Sequence, residues 1–284
     1  MVAFSVEEYA RLLDDVGDLA SADVVALLRA LEGSTADQVR DALLEALLAT
    51  IDPYSESSAL LAAEAYDLAR AENGVRGRYR AQPVAPVDAE RADALTRWAV
   101  SPLYVPDAGT AEWAAMVSSL LGGVQRIVAD AARDTTAGNL LADDATGRRF
   151  YARVARPGCC AFCSMLASRG AEYDSEASAT SVVGRGTAVT AGPRRRGGQA
   201  KGIRARGSRA LGQTFHDYCR CIAVASSPTT RDYLAEQQTQ HDRRYLEAVD
   251  AVATAREAAG MSTARGDEFM RDVLSVMRMQ AGTH

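Results

Sequence analysis

The chain has 284 residues, which is long enough for one large domain or two ordinary ones, and 48% of them are hydrophobic, so a buried core is expected. Aromatic residues make up only 6%, while alanine, leucine and arginine are frequent, and this composition favours helices over sheets. No segment approaches the ~18–20 consecutive apolar residues of a membrane span, and the N-terminus lacks the basic start and apolar region of a signal peptide. These features predict a soluble protein that is made in the cytosol and has no membrane partner.

Charge is distributed unevenly along the chain, whose formal net charge is −5. Residues 1–82 contain fifteen acidic residues and seven arginines, a balance of −8. Residues 184–212 contain seven arginines, Lys201 and no acidic residue, a balance of +8. An acidic body with one basic loop is therefore expected. All of the 32 basic residues except Lys201 are arginine, which we interpret as the mark of a GC-rich genome rather than of a binding site.

Residues 1–82 are predicted to form an acidic N-terminal helical region. Ser5 begins a capping-box pattern, and apolar residues then recur at helical spacing. Gly33 and Ser34 separate the next two helices. Asp52-Pro53 is typical of a helix start, because aspartate caps amide groups and proline suits the first helical position, so a new helix is predicted to begin there.

A second helical block is predicted for residues 83–144. Its first residues include Pro83 and Pro86 and have the composition of a linker. The pair Gly122-Gly123 lies inside the block and costs ~1–2 kcal/mol relative to alanine, so a bend or a close contact with another helix is expected at that point.

The remaining chain divides into two predicted regions. Residues 145–225 are predicted to form a small α+β module with short strands around five cysteines, and residues 226–284 a C-terminal helical tail. The tail should contain a long helix that begins at Ser227 and a last helix near residues 267–279, whose methionines we interpret as packing residues. The predicted fold class is mainly α, with a small α+β zinc-knuckle-like module and a C-terminal helical tail.

All five cysteines and one of the three histidines lie in two short clusters, with the patterns C-x-x-C and H-x-x-C-x-C. Zinc prefers four thiolate or imidazole ligands at tetrahedral angles, and two short-spaced groups can supply them. There are more candidates than coordination positions, and Cys159 is interpreted as the spare thiol. The candidate ligands are Cys160, Cys163, His216 and Cys219, with Cys221 able to replace either of the last two.

Three other interpretations of the same residues stay open. The cysteines could be reduced, buried apolar residues, or they could form a disulfide in a mature particle. A thiol protease would use Cys159 or Cys160 as the nucleophile and His216 as the base. A metal ion bound by the same cluster would quench that thiolate, and no G-x-S-x-G, H-E-x-x-H or Walker motif is present. We therefore predict no enzymatic activity.

The basic segment, residues 184–212, contains eight glycines and no aromatic residue, and we expect it to be a long mobile loop. Its cations could neutralise nucleic-acid phosphates without reading the sequence, since no side chain there can stack on a base. The alternative is a solvated loop that contacts an acidic protein surface. The candidate nucleic-acid-binding residues are Arg194, Arg195, Arg196, Lys201, Arg204, Arg206 and Arg209.

Two stretches, Arg153 to Tyr173 and Phe215 to Cys221, resemble the signature of MuF-like phage minor head proteins, and most closely those of phages that infect actinobacteria. The stretch from Ala65 to Arg70 also resembles the helical part of those proteins. The resemblance covers about residues 55–225, and the two cysteine clusters are its specific part.

This resemblance implies a minor head protein that is present in few copies in the virion and is assembled in the host cytoplasm. Its partners would be the portal protein or the major capsid protein, together with packaged double-stranded DNA bound without sequence preference. Its role would be in head assembly and in DNA packaging or ejection. Many relatives are labelled capsid maturation proteases, although nothing in these residues supports peptide hydrolysis. The alternatives are therefore a maturation protease and a zinc-stabilised nucleic-acid-binding protein.

Overall fold

The computed structural model describes residues 5–143, 151–156, 159–168, 187–188, 203–204 and 219–281. It confirms the predicted fold class, since helices dominate and two short strands accompany the cysteines. In chain order the helices and strands are α1 (Val6–Arg29), α2 (Ala36–Glu72), α3 (Ala89–Ala99), a 3-10 turn (Ser101–Tyr104), α4 (Thr110–Ala142), β1 (Tyr151–Val154), α5 (Ala161–Ala167), β2 (Thr187–Ala188), β3 (Ile203–Arg204), β4 (Ile222–Ala225), α6 (Pro228–Ala258) and α7 (Asp267–Ala281).

Helices α1, α2 and α4 pack against one another, and with α3 they form what we call the helical body. Ser5 caps α1 by accepting the amide proton of Glu8, and Thr35 and Gln38 form a capping box on α2. The body has one apolar core, which includes Val24, Leu28, Val39, Leu43, Leu47, Ile51, Met116, Leu120, Val124 and Val128.

Helix α2 does not stop at Pro53, so the prediction of a helix start at Asp52-Pro53 was wrong. An interior proline costs ~3 kcal/mol in an isolated helix, because it lacks the amide proton and crowds the preceding turn. Here Leu47 and Ile51 are buried in the core of the body just before the proline, and Ala59 is buried just after it. Continuous packing on one face outweighs the local preference.

The linker-like segment between α2 and α3 is fixed to the helices by hydrogen bonds. The amides of Gln82 and Val84 donate to Asn139 and Thr135 of α4, and the amide of Val87 donates to Asp52 of α2. The two predicted N-terminal regions therefore share one core.

The expected close helix contact at Gly122-Gly123 is present. A Cβ atom placed on Gly123 of α4 would lie 2.2 Å from Cδ1 of Leu95 in α3, so any larger residue would force the Leu95 side chain to move.

Strands β1 and β4 form an antiparallel pair in which Val154 lies opposite Ile222. The pair packs on the helical body through a second apolar cluster, which joins it to α1, α2, α4 and α6. Its members include Val6, Tyr9, Ala62, Ala132, Val154, Ile222, Val224 and Leu234.

The C-terminal helices agree with the prediction of a helical tail. Helices α6 and α7 pack on each other and on α5 through a core that includes Val249, Val252, Phe269 and Val273. Met277 is buried in this core, whereas Met279 is exposed, so the interpretation as a packing residue was wrong for Met279. Among the described residues, no helix combines the length and the apolar character that a membrane crossing requires.

Candidate metal centre

The two cysteine clusters meet because of the β1–β4 pair. Strand β1 leads into Cys159 and Cys160 and then into α5, whose first turn contains Cys163. Cys219 and Cys221 directly precede β4, which is antiparallel to β1. Residues that follow one antiparallel strand and residues that precede its partner lie at the same end of the pair. The sheet therefore places the two clusters side by side.

The thiol sulfurs of Cys163, Cys219 and Cys221 all lie within 4.8 Å of one another. The Sγ atoms of Cys163 and Cys219 are 3.5 Å apart. These three residues are 0%, 6% and 1% exposed, and they form one cluster with Ala155 and Ala167. We call this cluster, with Cys159 and Cys160, the cysteine centre.

Cys159 and Cys160 are half-buried and pack against the three buried cysteines. The Sγ atom of Cys160 accepts the amide proton of Cys163 at 3.4 Å, a contact that suits a thiolate in a C-x-x-C turn. A hydrogen bond from the thiol of Cys221 lowers the pKa of Cys159. The structure thus brings four of the five candidate ligands together, and it places Cys159 next to them as well. The interpretation of Cys159 as the spare thiol stays a prediction.

His216, the remaining candidate ligand, lies outside the described residues. The same is true of the candidate nucleic-acid-binding residues except Arg204, whose backbone belongs to β3 and pairs with Thr187 of β2. The β2–β3 pair is the part of residues 184–212 that the structure describes. The prediction of a mobile basic loop otherwise falls on residues that are not described.

The buried thiols divide into two kinds. Hydrogen bonds from Cys163 and Cys221 hold the pKa of Cys219 well below its ordinary value, and the Arg133 guanidinium acts in the same direction. Cys163 donates a hydrogen bond chiefly to Cys160, and Cys221 donates one chiefly to Cys159, and these bonds raise the pKa of both donor thiols. Without a cation, like charges this close cannot all ionise. A cation would allow every thiol to lose its proton.

The donor set fits a zinc ion. Zinc binds thiolates at about 2.3 Å, so a tetrahedral site sets its sulfur ligands ~3.8 Å apart. The measured separation of 3.5 Å between Cys163 and Cys219 is close to that value. Soft thiolates select zinc or a similar metal over magnesium and calcium, which prefer oxygen ligands. The three buried cysteines could therefore hold a metal ion.

The sequence analysis missed Arg133 of α4, which contacts the cysteine centre from the helical body. Its guanidinium donates to the main-chain carbonyls of Cys219 and Cys221 and to the carboxylate of Asp130. One signal was available. Asp130 and Arg133 lie three residues apart in α4, amid the buried residues Ile127, Val128 and Ala132, and charged residues on an apolar face need partners.

A second missed pair links α5 to α6. The hydroxyl of Ser164 and Nδ1 of His241 are 2.8 Å apart, and both residues are buried. Burial lowers the pKa of His241, and the neighbouring Arg244 acts in the same direction. The sequence offered no sign of this pair, because 77 positions separate the two residues.

Fold and site together define a mainly helical protein with a cysteine-rich, knuckle-like module. Residues 2–248 match the family described as VG15 protein, and the chain therefore belongs to this family. Membership suggests a phage-encoded protein. No curated protein and no solved structure matches the chain.

Proposed function

We propose that this chain is a structural minor head protein of a tailed phage, associated with the portal or the inner capsid, that aids head assembly and DNA packaging or ejection. The observation that carries the proposal is the convergence of the two cysteine clusters. They are the specific part of the resemblance to MuF-like proteins, and they form a single buried centre. The match to the VG15 family over residues 2–248 supports a phage origin for the same region.

The role of the cysteine centre is structural in this proposal, and the ion is zinc. Among the described residues, the cluster around it consists of cysteines and the small residues Ala155 and Ala167. Such a cluster buries little apolar area, so it cannot stabilise its segments by hydrophobic packing alone. A bound zinc ion would link residues 160–163 to residues 219–221 and contribute the missing stability.

Burial supports a structural role over a catalytic one. A nucleophilic thiol must contact its substrate, whereas Cys163, Cys219 and Cys221 are almost completely buried. Cys159 and Cys160 are more exposed, but both pack against the buried cysteines, and Cys160 accepts the amide proton of Cys163. The protease alternative predicts that the major capsid protein is truncated only when this chain is present. The structural proposal predicts the same capsid-protein length with and without it.

Purified virions test the assignment to the head. Quantitative mass spectrometry should find the chain in virions at a fixed copy number, together with the portal and major capsid proteins. Absence from virions, with normal amounts in the infected cell, would refute the proposal and favour the zinc-stabilised nucleic-acid-binding protein. The basic residues of segment 184–212 would then be the first to test for DNA binding.

Metal content tests the zinc assignment separately. The purified chain should contain one zinc ion per molecule by atomic absorption. Cys163→Ser removes a central ligand and should abolish stable binding, while Cys159→Ser is the matched control and should retain the ion if Cys159 is the spare thiol. Equal zinc content in the wild type and in Cys163→Ser would contradict the assignment.

A further inference from the structure

Arg133 is a buried cation that joins the helical body to the cysteine centre. Arg133 belongs to α4, and only 3% of its surface is exposed. Nε donates to the carbonyl of Cys221 at 3.0 Å, and Nη2 donates to the same carbonyl at 2.8 Å and to the carbonyl of Cys219 at 2.5 Å. Nη1 donates to Oδ1 of Asp130 at 2.8 Å. All three nitrogens of the guanidinium therefore have partners.

The two carbonyls belong to the segment that carries the thiols. Cys219 to Cys221 lie before β4, and the ladder with β1 begins only at Ile222. Buried carbonyl groups need hydrogen-bond donors, and at Cys219 and Cys221 the guanidinium supplies them. Because one rigid, planar group binds both carbonyls, it fixes the backbone from which both thiols project.

Arg133 is itself held in place from the helical body. Asp130 lies one turn earlier in α4 and also forms ion pairs with Arg91 of α3 and with Arg126 of α4. Burying an arginine is costly unless its charge and its protons are all paired, and here Asp130 and the two carbonyls meet that need. The position of the guanidinium is thus set before any ion binds.

The positive charge of Arg133 also favours a bound metal ion with thiolate ligands. A zinc ion with four thiolates carries a net charge of −2, and burial of that charge requires nearby cations. Arg133 lies against the carbonyls of Cys219 and Cys221, and Nη1 of Arg153 in β1 lies 3.6 Å from Sγ of Cys163. Two buried guanidinium groups therefore approach the cysteine centre from different elements.

We propose that Arg133 is a positioning residue for the metal centre: by binding the carbonyls of Cys219 and Cys221, it holds their thiols in ligand geometry, so that metal affinity depends on the helical body. This inference rests on the proposed function, because it requires that the cysteine centre binds an ion. It assigns no contact between Arg133 and the ion. The helical body then acts as an outer support for the site, as hydrogen-bonded partners of metal ligands do elsewhere.

The test uses the full-length chain and zinc in competition with a chromophoric chelator. Arg133→Met keeps much of the apolar stem and removes every hydrogen bond, so zinc affinity should fall about 10- to 100-fold. Arg133→Lys keeps the charge but cannot bind both carbonyls and Asp130 together, and it should also weaken binding. Arg91→Met is the matched control, since Arg91 shares Asp130 but does not contact the cysteine carbonyls. It should leave the affinity unchanged.

Cobalt substitution supplies a readout that a general loss of stability would not change. The visible absorption of Co²⁺ bound to thiolates reports ligand number and geometry, so we expect an altered spectrum in Arg133→Met and the wild-type spectrum in Arg91→Met. If wild type and Arg133→Met bind zinc equally well and give the same cobalt spectrum, the inference fails while the metal site stands. If the wild type binds no zinc, the proposed metal site fails first.

Arg133→Met is compared with the wild type by circular dichroism before titration. If it does not fold, Arg133→Lys and Asp130→Asn decide the question, since the second variant keeps the guanidinium and removes its anchor. Weaker zinc binding by both would support the positioning role. Zinc affinity equal to that of the wild type in both would overturn it.

Discussion

Large apolar side chains fill the interior of the helical body, whereas the interior of the cysteine centre contains cysteines and two alanines. The body buries leucine, isoleucine, valine and methionine from α1, α2 and α4 in one continuous core. Each such side chain contributes roughly 1.5–3 kcal/mol when fully buried, so the body can fold by hydrophobic packing. Among the described residues, the cluster around the thiols contains no such side chain, so it depends on coordination and on contacts from the body. The two regions should therefore respond differently to the same perturbation.

Metal removal should produce the largest difference between the two regions. A structural zinc ion contributes ~10 kcal/mol or more in apparent terms, so a strong chelator should unfold residues 159–163 and 219–221, which form the cysteine centre. The amide protons of the helical body should stay protected from hydrogen exchange, because its core does not include the cysteines. Hydrogen exchange read by mass spectrometry would show both responses, and chelator should change nothing further in Cys163→Ser. If α1, α2 and α4 lost as much protection from hydrogen exchange as the segments of the cysteine centre, the two regions would not differ in their dependence on the metal.

A buried ion pair at the end of the helical body should give the next largest effect. Asp143 follows α4 and accepts hydrogen bonds from Arg70 at 2.7 Å and from Tyr66 at 3.2 Å. Asp143→Ala leaves the buried Arg70 charge without this partner and should cost about 3–5 kcal/mol of unfolding free energy. Asp15→Ala breaks the exposed pair with Arg11 and should cost at most about 1 kcal/mol. Urea unfolding of both variants would measure the difference, and similar midpoints would contradict it.

Glycine substitutions within α4 test how tightly the body is packed. Gly123→Ala places a methyl group against Leu95 of α3 and should destabilise the chain by about 1–3 kcal/mol. Gly138→Ala adds the same methyl group where nothing lies within 4 Å, and it should stabilise by up to about 1 kcal/mol through helix propensity. The midpoint of thermal unfolding should therefore fall for Gly123→Ala and rise for Gly138→Ala. The same sign for both would show that the Leu95 side chain can move aside without cost.

The pH dependence of stability that comes from His241, which pairs with Ser164, should be the smallest effect. Burial lowers the pKa of His241 below its ordinary value of 6.5, so the folded chain binds this proton less readily than the unfolded chain does. The stability contributed by neutral His241 is complete above pH 6.5 and is lost as the pH falls below that value. Unfolding free energies of wild type and His241→Asn, measured at saturating zinc above and below pH 6.5, should show a shallower decline in the variant. Parallel declines would exclude a contribution from His241.

The sequence by itself determined the helical class, most helix boundaries and the candidate ligands. Capping residues such as Ser5, and the periodic apolar residues after them, act through neighbours three or four positions away, so they can be read locally. The C-x-x-C and H-x-x-C-x-C patterns also involve residues only a few positions apart, so they can be recognised in the sequence. They marked Cys160, Cys163, His216, Cys219 and Cys221 as one group of candidate ligands before the fold was known.

Only the tertiary structure decided the features that depend on distant residues. Pro53 reads locally as a helix start, but packing of α2 against α4 keeps the helix continuous. The spacing of Asp130 and Arg133 indicates only that the two charges need partners, and the role of Arg133 depends on carbonyls 86 and 88 positions away. The environment of Cys159 likewise depends on how β4 returns beside β1. Pairings of this kind are fixed by the three-dimensional packing of the chain, and no pattern of neighbouring residues encodes them.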